Sequence, residues 1–143
     1  MIPLLFIGAA LVAATVVIHL AGFALILQTF LKPRNAMQLS PWPIAWILVR
    51  VTWFLLLLHA AEICVWALFY LWWGCLPDGE TAFYFSGTTY ATIGYGDVVL
   101  PVRWRMLGPV EGLTGILMCG LSTGLFVAVL SRIFTLRSRH KRT

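Results

Sequence analysis

Thr88-Thr89-Tyr90-Ala91-Thr92-Ile93-Gly94-Tyr95-Gly96-Asp97-Val98-Val99 is the stretch on which the reading of this chain depends. Gly94 and Gly96 stand two apart, alternating with a β-branched Ile93 and an aromatic Tyr95. A regular strand points its carbonyls to alternate sides. A backbone that turns successive carbonyls to one side needs left-handed dihedrals, which glycine accepts at least cost. Gly94 and Gly96 are placed for that. Gly-Tyr-Gly alone occurs in any turn-rich loop, so the context has to come from the rest of the chain.

The chain has 143 residues, of which 61% are hydrophobic and 10% charged. A soluble domain carries roughly 25% charged residues, so the composition predicts a membrane protein without a second globular domain. The net charge is +5. The basic residues cluster beside apolar spans, which points to membrane topology and away from nucleic acid. Cys64, Cys75 and Cys119 have no metal-ligand spacing, and none is assigned chemistry.

From Ile2 to Leu31 there is no Asp, Glu, Lys or Arg. About 20 apolar residues cross a bilayer, and a signal peptide's basic start is missing. The run predicts a transmembrane helix, stopped by Lys32-Pro33-Arg34-Asn35. Within it, His19 either bonds a neighbouring helix or senses protons, and Gln28 lies near the interface. Ser40-Pro41-Trp42-Pro43 predicts a helix start, with Ser40 as cap. A second span follows to about Trp73, with Arg50 near its start and tryptophans at both ends. His59 and Glu62 fall deep within it, on one helix face. An intramembrane carboxylate is a functional candidate that should face protein.

Gly74-Cys75-Leu76-Pro77-Asp78-Gly79 breaks that helix, and Asp78 caps a short segment too short to span. Pro101-Val102-Arg103-Trp104-Arg105 returns the chain to the interface. A third span runs from about Met106 to Ser131, rich in small residues that allow close helix approach, and it holds Glu111.

With that context, Thr92-Ile93-Gly94-Tyr95-Gly96-Asp97 resembles the selectivity-filter signature of the potassium channel pore-domain family. The one departure is Ile93, where valine is commoner. The resemblance covers Trp42 to about Phe134. It implies an all-α membrane protein of three transmembrane helices plus a re-entrant pore helix and filter loop, assembled as a homotetramer. Residues 1–35 are an additional N-terminal transmembrane helix, and 36–143 are the pore domain. The expected parts are an outer helix 41–74, a pore helix 78–91, a filter 92–97, an inner helix 105–134 and a basic tail 135–143.

The resemblance implies K⁺ ions held at Thr92, Ile93, Gly94 and Tyr95, with Gly96 completing the filter and Asp97 at the outer mouth. No organic cofactor is expected. Many family members carry an acid in the pore helix, four residues before the filter threonine, that steadies the filter aspartate. That position here is Thr88, so support is expected from Glu62 or Glu111, reaching Ser86, Thr88, Thr89 or Tyr90. The resemblance implies a gating hinge, which distance from the filter puts first at Gly115 and second at Gly120, the alternative being plain helix packing.

The implied function is passive, potassium-selective conduction, with no enzyme constellation in view. The basic tail predicts a cytoplasmic C-terminus, a contact with anionic lipid, and an outward N-terminus and filter, in the plasma (inner) membrane. No span has the spaced arginines of a voltage sensor, and the residues after the last span leave no room for a ligand-binding domain. Gating by pH at His59 is one expectation, because imidazole titrates near neutrality. The rivals are a weakly selective cation channel, a proton-coupled transporter using His59, Glu62 and Glu111, and a non-conducting accessory subunit.

Overall fold

The structure, a computed structural model, describes residues 2–30 and 41–140. The expected stop at Lys32-Pro33-Arg34-Asn35, the Ser40 cap and the last three residues of the tail lie outside the described residues. Among the described residues four α-helices form: α1 Ile2–Phe30, α2 Pro41–Trp72, α3 Gly79–Tyr90 and α4 Leu107–His140. No strand occurs among the described residues. Within α1, α2 and α4 the stretches Pro3–Thr29, Ala45–Trp72 and Leu107–Arg132 are long and apolar enough to cross a membrane. Helix α3 has 12 residues. At about 1.5 Å per residue it falls well short of a hydrocarbon core roughly 30 Å thick.

The ends of these helices follow from local chemistry. At the end of α2, Gly74 takes a left-handed φ of 61°. Its N–H bonds the Leu71 carbonyl at 3.1 Å, and the Cys75 N–H bonds that of Tyr70 at 2.8 Å. This paired closure satisfies two carbonyls that the helix leaves open, and it suits glycine. It ends α2 at Trp72, two residues before the expected 74. Asp78 caps α3 by accepting the Thr81 N–H at 2.8 Å. A 3-10 turn at Val102–Trp104 then leads into α4. Helix α4 runs past the expected end at 134 to His140, because no Pro or Gly follows Gly124 to stop it.

Helices α1 and α3 each pack against both α2 and α4. Two apolar clusters result. One, near the loop after α3, gathers Trp66, Phe69, Tyr70, Phe85, Trp104 and Leu107, with Leu4 and Ile7 of α1 against it. The other, at the far end, gathers Ile26, Val51, Leu55, Leu58, Leu125 and Val129. Along the three long helices the buried polar residues among those described fall between these clusters: Thr15 and His19 on α1, Glu62 on α2, Glu111, Thr114 and Ser122 on α4. The start of α1 therefore lies at the same end of the molecule as the loop after α3.

Candidate functional site

The loop after α3 leaves the helix under tight hydrogen-bond control. The Thr92 N–H bonds the Thr89 carbonyl at 2.9 Å, and the Ile93 and Gly94 N–H groups share the Thr88 carbonyl at 2.8 and 3.2 Å. Beyond that point every second residue is left-handed: Thr92 at φ 59°, Gly94 at 54° and Gly96 at 79°. A Cβ built on Gly94 or Gly96 meets nothing within 4 Å. Backbone conformation, and not space, therefore favours glycine at these two positions. Ile93 and Tyr95 between them are 55% and 70% exposed, so the loop shows apolar side chains on an open face. A groove of about 560 Å³ runs beside Ile93, lined also by Tyr84, Gly87, Thr88 and Val98 among others.

Asp97 closes the loop. Its carboxylate accepts from the Tyr84 hydroxyl at 2.7 Å and from the Val98 N–H at 3.0 Å. The Tyr84 bond holds Asp97 below the usual carboxylate range, and the same bond pushes the Tyr84 phenol up. Thr88 does not reach Asp97. Its hydroxyl turns back to the Tyr84 and Phe85 carbonyls of its own helix, both at 3.0 Å. Tyr84, one helical turn before Thr88, is a site residue that the sequence reading missed. Its spacing from Thr88 was the available signal.

Both intramembrane carboxylates come down on α3. Glu111 accepts from Ser86 at 2.5 Å and from the Tyr70 hydroxyl at 2.8 Å. Ser86 also contacts the Ile63 carbonyl at 2.9 Å, so one hydroxyl ties α3 to both α2 and α4. Glu62 accepts from the Tyr90 hydroxyl through one oxygen and from His19 Nδ1 through the other, the latter at 2.7 Å. His59 lies within this group, with Nδ1 3.0 Å from the Tyr90 hydroxyl and Nε2 3.0 Å from Ser122 Oγ. All four helices thus meet at one polar layer.

His19, His59 and Glu62 also present metal-ligand atoms within 4.8 Å of one another. The sequence spacing gave no hint of this, since His19 and Glu62 lie on different helices. The facing atoms of all three are taken up by hydrogen bonds to one another, to Tyr90 or to Ser122.

The glycines of α4 sit at different depths. A Cβ on Gly112 would lie 3.3 Å from the Thr89 carbonyl, and one on Gly115 would fall on the Tyr90 carbonyl itself. Gly120 faces nothing within 4 Å. Gly115 therefore serves as the seat of α3 on α4, while Gly120 is sterically free. Helix α4 is unbroken through both.

Residues 56–132 match the family described as Ion channel. The match spans more than half of the chain, which belongs to this family of ion channels. It takes in the second half of α2, all of α3, the loop and most of α4, and it leaves α1 outside. No curated protein and no solved structure matches the chain. With its three apolar helices, the chain is an integral membrane protein.

Proposed function

We propose that four copies of this chain enclose one pore that passes K⁺ in preference to Na⁺. The observation that carries this reading is the alternation of left-handed residues at Thr92, Gly94 and Gly96, on a loop fed by a helix too short to cross the membrane. Alternating handedness brings successive carbonyls to one side, where they replace the hydration shell of a dehydrated cation. K⁺ is then held at Thr92, Ile93, Gly94 and Tyr95, with Gly96 leading to Asp97 at the mouth. One chain supplies one quarter of such a ring, so rotational symmetry has to supply the rest. The exposed Ile93 and Tyr95 and the groove beside Ile93 offer the surface a neighbouring copy would cover.

Glu62 and Glu111 hold the pore helix from outside, through Tyr90 and Ser86. Tyr84 holds Asp97 in the place of the missing pore-helix acid. Gly120, free of contacts, is the better candidate for a bend in the inner helix. The basic residues at the far end of α4 support a cytoplasmic position for that end, beside anionic lipid. The N-terminus and Asp97 then face outward.

The test is ion flux from proteoliposomes holding the purified chain alone. K⁺ should leave much faster than Na⁺, from a particle of four times the 16.0 kDa chain mass. Equal K⁺ and Na⁺ flux would support the weakly selective reading, and no flux the accessory-subunit reading.

A further inference from the structure

We infer that α1 is part of the filter's support, and that His19 is a positioning residue for the loop, acting through Glu62 and Tyr90. The inference deepens the filter reading above and rests on it. It starts from what α1 buries. Its two buried polar side chains, Thr15 and His19, are both fully enclosed, and each makes one tie to α2. Thr15 accepts from the Trp66 indole N–H at 3.0 Å, and since that indole has a single N–H, no hydrogen bond passes from it to α3. His19 donates from Nδ1 to Glu62 at 2.7 Å, and the other oxygen of Glu62 accepts from Tyr90.

Tyr90 is the last residue of α3, two before Thr92. It is gripped at both ends. Its hydroxyl is held by Glu62, with His59 Nδ1 beside it, and its carbonyl lies against Gly115. An ionised carboxylate only accepts hydrogen bonds, so its direction is set by the donors around it. His59 Nδ1 stands 3.3 Å from the Glu62 oxygen that faces Tyr90, while His19 Nδ1–H is the one partner of the other oxygen, so His19 completes the aim of the carboxylate at Tyr90. Ser122 Oγ stands 3.5 Å from His19 Nε2 and 3.0 Å from His59 Nε2, which orients both rings from α4. Without His19, one oxygen of a fully buried carboxylate has no partner. Such a group turns or takes up a proton instead of remaining unpaired. Either response releases Tyr90 at the root of the filter.

The two ties of α1 make the test internal to the molecule. The purified chain is reconstituted in bilayers, and the K⁺/Na⁺ permeability ratio and the decline of current at constant voltage are measured. The variants are His19→Ala, His19→Asn, His19→Gln and Thr15→Val. His19→Ala should lower the permeability ratio by about tenfold, the scale of one lost hydrogen bond to a charged acceptor, and speed the decline. His19→Asn puts an amide N–H where Nδ1 stood and should restore both readings. His19→Gln reaches toward the Nε2 position and should not. Thr15→Val should lower the tetramer's melting temperature while leaving both readings at the wild-type value.

Three results would overturn the inference. One is His19→Ala with wild-type selectivity and decline. Another is His19→Ala and Thr15→Val changing both readings alike, which would make α1 a general brace. The third, decisive where His19→Ala does not assemble, is Asn and Gln behaving identically. A wild-type channel without K⁺ preference would instead remove the filter reading itself.

Discussion

Thr92, Gly94 and Gly96 share a left-handed backbone but hold it on different terms. For a β-branched residue that conformation costs on the order of 1–3 kcal/mol. Thr92 is kept there by the hydrogen bonds that Thr88 and Thr89 make to the loop. The glycines need no such restraint. Since a side chain at Gly94 would meet nothing within 4 Å, Gly94→Ala tests the dihedral angle and not the space. It should reduce K⁺ over Na⁺ selectivity by about tenfold or more, at the cost expected of a left-handed alanine in each subunit. Tyr84 and Thr88 give a paired prediction, read in macroscopic currents. Tyr84→Phe removes only the hydroxyl that holds Asp97, and it should speed the decline of current several-fold. Thr88→Val should leave that decline unchanged, because its hydroxyl serves only its own helix.

At the scale of the helices, α3 is set by its cap and by its seat. Asp78 is held below the usual carboxylate range, first by the backbone N–H of Thr81 and then by that residue's hydroxyl. A carboxylate depressed on folding adds stability above its unfolded value of about 3.9, and this is lost only as pH falls through the lower folded value. Asp78→Ala should therefore lower the melting temperature by a few degrees at pH 7. Variant and wild type should converge in acid below the folded value, as thermal melts in detergent would show. The seat is Gly115. Gly115→Ala drives a methyl into the Tyr90 carbonyl and should cost about 1–3 kcal/mol, as overpacking does. Gly120→Ala should leave assembly intact, and size-exclusion profiles of the two variants separate the cases. Sequence spacing ranked Gly115 first as a hinge because it measures distance along the chain. What distinguishes these glycines is what faces them, and that depends on where α3 docks.

Across the whole molecule, the parts legible in the sequence were those written in local pattern. Long apolar runs marked the three long helices, Gly74 and Asp78 marked the break and restart, and Gly94 and Gly96 marked the turns of the loop. The supports were legible only in outline. Glu62 and Glu111 stood out because a carboxylate in an apolar span needs a partner. Which partner it takes, Tyr90 and His19 for one, Ser86 and Tyr70 for the other, depends on helix rotation and packing that no local pattern encodes. Ser122 was missed for the same reason, as an ordinary polar residue until the fold brings it to the histidines, whereas Tyr84 had one local signal, its position a helical turn before Thr88. The central claim is that this chain, by itself, builds a pore whose carbonyls select K⁺. The most direct test is the reversal potential of the purified chain in a planar bilayer with K⁺ on one side and Na⁺ on the other. A reversal displaced strongly in favour of K⁺, and lost in Gly94→Ala, is the predicted result. A current that reverses near zero in the wild-type chain would contradict it.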